Sequence, residues 1–360
     1  MTEPPSTVEV EHAEDASETS AAPMSWAGRL RQLSTTPILV TLVFLLVLLA
    51  VFSALAPGKF GTSSNLGLLA QNVAILTVVS VGTTFVIATA GIDLSIPSGI
   101  ILGEVFAAQA LKLMSAPGGG SAIDVQAADT TAGYILGALA AALLAGLIIG
   151  GINGFVVAYL HIPPMLATLG TLGAGLGVAL LLQNGVNVAS YALNPVATGY
   201  LIPGVTNLIL IALVVVAAGY VGLHYSVFGR HTLAIGSNEE AARRVGLKVQ
   251  LHLLKVYTLG GLANGFAGFL SLAYFSTTSV GGHSTDNLQA ITAVALGGTS
   301  LFGGVGTILG TLIGVWIPAV LQNGFIIVGV NPYWQMIAVG VVLIVAVWLD
   351  QVRRRSQNRR

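Results

Sequence analysis

Gly91-Ile92-Asp93-Leu94-Ser95-Ile96-Pro97-Ser98 interrupts a long hydrophobic stretch and places a carboxylate inside it. Asp93 and Glu104 are the only two carboxylates within the apolar bulk of the chain. A charge in hydrocarbon costs at least about 2.5 kcal/mol on insertion scales. Irregular backbone at that depth persists only where protein or a water-filled cavity surrounds it. The run therefore predicts a membrane protein with a polar pathway.

Composition points the same way. Of 360 residues, 54% are hydrophobic and 8% charged, with mean hydropathy +0.86; a soluble domain is nearer about a quarter charged. The 45 glycines suit close helix packing in a bilayer. A transmembrane barrel needs short alternating segments, and the apolar runs here are too long and unbroken. The expected fold is all-α and polytopic. Apolar segments fall near 37–56, 67–90, 98–114, 131–158, 164–183, 205–225, 254–275, 287–299, 303–327 and 333–349. Since about 20 residues span the hydrocarbon, this predicts about ten transmembrane segments with glycine-rich breaks, of which 287–299 is too short to cross alone.

Charge distribution sets the expected orientation. Six of the 14 acids precede residue 19, and no Lys or Arg precedes Arg29. Residues 1–28 read as a disordered acidic tail, and the missing basic start excludes a secretory signal. Arg29 and Arg31, then Arg230, Arg243, Arg244, Lys248 and Lys255, then Arg353, Arg354, Arg355, Arg359 and Arg360 make 12 of the 14 basic residues. These three places are expected in the cytoplasm, with both termini inside and 115–130, 185–204 and 276–286 outside. The transmembrane domain is expected at 29–350, with its largest inner loop at about 226–253, and 351–360 as a basic cytoplasmic tail.

Several chemistries are excluded. No cysteine is present, which removes disulfides, thiolate metal sites and cysteine nucleophiles. The six histidines lack zinc-type spacing, so no metal is expected. No Gly-x-Ser-x-Gly occurs. No ATP-binding loop occurs either, since Gly58-Lys59 lacks the rest of that motif. No catalytic residue, bound cofactor or nucleic-acid partner is expected. If transport is ATP-driven, the ATPase is another polypeptide.

A faint repeat aligns Ala88–Glu104 with Ala295–Thr311 at 7 of 17 positions. It would place glycine-rich breaks in two corresponding helices, a pointer to a substrate path. Asp93 has three readings: a helix cap beside Pro97, a hydroxyl acceptor lining the path with Ser95 and Ser98, or a proton or cation carrier. Thr299 and Ser300 either contact substrate or satisfy backbone groups freed by the second break. Glu104 reads as facing a neighbouring helix or cavity, and Gln71, Asn72 and Asn264 as interhelical glue. His283 and Asp286 read as an ordinary solvated turn in an outward loop, with contact to a partner as the alternative. Gly146, Gly150 and Gly154, and again Gly306, Gly310 and Gly314, form ladders at spacing four that suit packing.

Residues 236–249 read Gly-Ser-Asn-Glu-Glu-Ala-Ala-Arg-Arg-Val-Gly-Leu-Lys-Val. Asn238 predicts an N-cap, Glu239 and Glu240 suit the first turn, and Gly246 ends the helix. Three motifs now stand in order: Gly91–Ser95, Gly236–Gly246, and Leu296-Gly297-Gly298-Thr299-Ser300-Leu301-Phe302-Gly303-Gly304-Val305-Gly306. On these motifs the chain resembles, over about 30–350, the membrane permease subunit of ribose-type sugar ABC transporters in the branched-chain-type permease superfamily. Pro97 stands where that family usually has Gly. The resemblance implies a bacterial plasma-membrane subunit importing a monosaccharide or polyol, with nucleosides or branched-chain amino acids as alternatives. It implies a separate cytoplasmic ABC ATPase subunit that uses the ATP, an extracytoplasmic solute-binding protein, and a second permease copy or homologue in a dimer embedded in membrane lipid. It makes Asn238, Glu239, Ala241, Ala242 and Gly246 the ATPase-coupling residues. From another class, an ion-coupled secondary carrier using Asp93 is the alternative.

Overall fold

The computed structural model describes residues 37–115 and 131–357; the acidic tail 1–28 and most of the 115–130 segment lie outside them. The elements run α1 (Pro37–Leu55), α2 (Ser63–Ala88), α3 (Ile96–Ser115), α4 (Ala132–Ala158), α5 (Pro164–Gln183), α6 (Asn194–Thr198), α7 (Asn207–His224), α8 (Val227–Ser237), α9 (Glu239–Arg244), α10 (Val249–Phe275), α11 (Asp286–Leu296), α12 (Ile308–Gly314), α13 (Trp316–Val328) and α14 (Pro332–Gln357). Among the described residues eight helical stretches are long and apolar enough to cross a membrane, the last being α12 and α13 together, Ile308–Val328. α11, with 11 residues, is too short to cross alone, as expected, and Tyr333–Val345 is a shorter apolar stretch within α14.

Local sequence explains the helix ends. Thr62 caps α2 by accepting the Asn65 amide. Pro163 and Pro164 open α5, and Asn184 closes it in the left-handed region. The outer helix α1 turns Leu46 and Val47 away from the protein, more than half exposed, as suits a lipid-facing surface. The centre is the opposite: from Val73 to Ala88 every residue of α2 is buried.

α10 is the second pillar, packed on α2, α3 and α4. Its seam with α4 is the first glycine ladder. A Cβ on Gly146 would strike the Gly261 carbonyl, and one on Gly150 would meet the Gly261 Cα at 2.9 Å. The backbones touch because neither helix has side chains there. The second ladder packs α12 on α11, with Gly310 against the carbonyl of Gly297 and Gly314 against that of Ala293. Gly306, the first member of that ladder, lies in the break before α12 and meets Leu223 instead.

Candidate functional site

The first break spans Thr89 to Ser95, between α2 and α3. Ala90 turns the chain in the left-handed region (φ 61°). Asp93 is buried, and its Oδ1 accepts the Ser95 amide at 2.8 Å and the Ser95 hydroxyl at 2.6 Å. The carboxylate thus ties down the start of α3. A polar chain continues inward. Asn153 Nδ2 donates to Ser95 Oγ at 2.7 Å, and Thr171 Oγ1 donates to Asn153 Oδ1 at 2.6 Å. Thr168 Oγ1 accepts the Leu94 amide at 3.0 Å. Ser98 Oγ donates to the Ser95 carbonyl at 2.8 Å. Side chains of α4 and α5 thereby hydrogen-bond the buried segment between α2 and α3.

The second break runs from Gly297 to Thr307, between α11 and α12. Buried Thr299 accepts the Thr307 amide on Oγ1 at 3.1 Å, and Ser300 Oγ accepts the Phe302 amide at 3.3 Å. Both hydroxyls serve backbone groups freed by the break. These hydrogen bonds of Thr299 and Ser300 stay within the break, whereas Ser95 and Ser98 also bond to α4 and α5.

The two breaks meet at one point. Gly304 N–H donates to the Ala88 carbonyl at 3.0 Å, and Gly303 lies against Ala90. Gly236, near the end of α8, sits on the same spot: a Cβ there would collide with the Ala88 carbonyl and meet the Gly304 amide nitrogen at 2.6 Å. Main chain from the inner loop therefore touches main chain of both breaks.

α9 follows directly. Asn238 Oδ1 accepts the Ala241 amide at 2.9 Å, Glu239 pairs with Arg243, Glu240 pairs with Arg244, and Gly246 turns out with φ 89°. Asn238, Glu239, Ala241 and Gly246 are exposed. Ala242 is not: it is 5% exposed and packs with Ile235 and Val249. Of the two neighbouring alanines, Ala241 faces out while Ala242 turns back onto α8 and α10. Val245, four residues beyond Ala241, is 78% exposed. Val245 stands one helical turn beyond Ala241, with its amide bonded to the Ala241 carbonyl at 3.1 Å, and shares its outer face.

A second cluster joins α3 to the loop before α11. Glu104 is fully buried in α3, and its Oε1 is 2.9 Å from Nε2 of His283. His283 Nδ1 is 2.7 Å from Asp286 Oδ2, and the Ser279 amide donates to Glu104 Oε2 at 2.9 Å. The expected solvated turn at 283–286 is thus a buried ionic bridge. Burial pulls the His283 pKa down, but hydrogen bonds and charge from Asp286 and Glu104 outweigh it and raise the value to about 10. The two acidic side chains thus favour the protonated imidazole. Residues 179 apart in sequence offered no local signal for this pairing.

A family model described as "Branched-chain amino acid transport system / permease component" matches residues 65–347. The ribose import permease protein RbsC of Escherichia coli (strain K12) is 36% identical over 327 residues, 87% of this chain and 94% of its own. The fructose import permease protein FrcC of Rhizobium meliloti is 31% identical over 333 residues, 90% and 88% of the two chains. The galactose/methyl galactoside import permease protein MglC of Escherichia coli (strain K12) is 34% identical over 319 residues, 86% and 93%. No solved structure matches the chain.

Proposed function

Since the chain belongs to the branched-chain amino acid transport system / permease component family, we propose that it is the membrane permease subunit of an ABC importer for a monosaccharide. It resides in the inner membrane. The relatives named for ribose, fructose and galactose import support that solute class. ATP is bound and hydrolysed by a separate cytoplasmic subunit, and an extracytoplasmic binding protein delivers the solute. A second permease copy completes the translocation unit, with both termini in the cytoplasm.

The observation that carries the mechanism is the main-chain contact of Gly236 with Ala88 and Gly304. In this reading the ATPase grips the outer face of α9 through Ala241 and Val245, with Asn238 and Gly246 fixing the ends of that helix. Movement of α8 and α9 passes through Gly236 to the end of α2 and to the second break, before α12, at once. Interiors are close-packed, so a backbone contact without slack transmits a shift rather than absorbing it. Asp93, Ser95, Ser98, Thr299 and Ser300 shape the two breaks through the hydrogen bonds described above, and this is their role in the pathway.

The test is uptake of labelled ribose, fructose, galactose and a polyol in cells with and without this chain, its ATPase partner being present. Loss of uptake of one of these on deletion is expected. Accumulation by the purified chain from an imposed ion gradient, without ATP or any ATPase, would refute the reading in favour of a secondary carrier.

A further inference from the structure

At the membrane face opposite α9, a cavity of about 340 Å³ opens between α2, α11, α13 and the loop before α11. Its position follows from α10, whose 27 residues run about 40 Å from Val249, beside α9, to Phe275 in the cavity wall. The wall is rich in amides, from Asn72 on α2, Gln289 on α11, and Gln322 and Asn323 on α13. Two of these are committed. Asn323 exchanges hydrogen bonds of 2.9 and 3.0 Å with Asn65, and Gln289 donates to Thr285 at 3.1 Å. Asn72 and Gln322 are exposed and make no hydrogen bond among the described residues. Asn72 is therefore not the interhelical glue that its sequence context predicts. Asp286 gives Oδ2 to His283, and its Oδ1 accepts no hydrogen bond among the described residues.

These amides stand on helices that cross the membrane. Facing lipid, each would lose its water hydrogen bonds with nothing in return. The face is therefore wet or covered by a polar ligand. A carboxamide presents a donor and an acceptor side by side, and an ionised carboxylate only accepts. That set matches the hydroxyls of a polyhydroxylated solute, and the Phe275 ring offers a flat apolar surface beside them. The volume lies at the small end of ligand sites. The bridge from Glu104 through His283 holds Asp286 in one position, so the wall is preorganised. None of the three sequence motifs contributes a residue to it.

We infer that this cavity is the outward docking site of the transported monosaccharide, with Asn72, Gln322 and the free oxygen of Asp286 as its hydroxyl contacts. The inference rests on the monosaccharide-permease reading. Because the chain has no cysteine, Asn72→Cys and Gln322→Cys each create a single thiol. In intact cells both thiols are expected to react with a membrane-impermeant maleimide. The one sugar among ribose, fructose and galactose whose uptake depends on this chain should slow that reaction, and the other two should not. The double variant Asn72→Ala/Gln322→Ala should reach the membrane at the normal level, with uptake at sub-saturating sugar lowered about tenfold, as expected for two lost hydrogen bonds. Unreactive thiols would overturn the inference, since the face would then be closed to water. Reactive thiols without protection, together with unchanged uptake by the double variant, would overturn it while leaving the permease reading intact. If deleting the chain affects no sugar, the permease reading itself fails and the inference falls with it.

Discussion

His283 Nε2 lies 2.9 Å from Glu104 Oε1, inside a site where both side chains are almost wholly shielded from solvent. The bridge ties the loop before α11 to the middle of α3. Removing one partner of a buried pair leaves the other charge uncompensated, typically about 3–5 kcal/mol. Glu104→Gln and His283→Gln should each lower the unfolding temperature of the detergent-solubilised protein sharply. The double variant should be less damaged than the sum of the two. Additive losses in that cycle would show that the two residues are not coupled.

The same bridge has a pH signature. The folded pKa of His283 is raised to about 10 from an ordinary 6.5. Its contribution to stability is complete below pH 6.5 and is lost as pH rises through about 10. Between those values the folded state holds one more proton than the unfolded state, a slope of about −1.4 kcal/mol per pH unit. Glu104, Asp286 and Ser271 are the polar groups facing the ring. Thermal unfolding measured from pH 6 to 10 should fall more steeply for the wild type than for His283→Gln, and parallel curves would contradict the assignment.

Gly236→Ala adds one carbon where the Ala88 carbonyl and the Gly304 amide already stand. Neither neighbour is a side chain that can rotate away, so the expected strain is about 1–3 kcal/mol. Sugar uptake should fall at least several-fold (a barrier change of about 1.4 kcal/mol is tenfold) while the protein remains in the membrane. Wild-type uptake would mean that the contact can open without consequence.

Ala242 and Val245 separate fold from docking. Ala242→Arg forces a charge into the cluster with Ile235 and Val249, and the protein should be lost from the membrane. Val245→Arg changes a side chain that is 78% exposed, so membrane levels should hold while co-purification of the ATPase and sugar uptake both drop. Equal ATPase recovery for Val245→Arg and wild type would remove the outer face of α9 from the interface.

Orientation can be read with one thiol. A cysteine introduced at exposed Ser237 should stay unlabelled by an impermeant reagent in intact cells and become labelled after permeabilisation. Labelling in intact cells would invert the proposed topology.

Sequence carried most of the scaffold because hydrophobic length and glycine spacing are local signals. The two breaks, the Asn238 cap, the end at Gly246 and the packing role of Gly146, Gly150 and Gly154 all follow from residues within a few positions of one another. What escaped was long-range or facial. His283 finds Glu104 across 179 residues, and nothing near either position announces the other. Ala242 differs from Ala241 only in which way a short helix turns it, and the boundary between α9 and α10 decides that. Asn72 resembles any polar residue in a span until α11 and α13 are seen to leave its amide facing a cavity.

The joint at Gly236 is written in main-chain atoms, and the cavity around Asn72 and Gln322 in side chains. The two can therefore diverge independently. A lineage that exchanges one sugar for another can rewrite the amide wall without touching the linkage to the motor. One engine design could thus serve many cargoes, and grafting a foreign cavity wall onto this chain is a practical route to altered uptake.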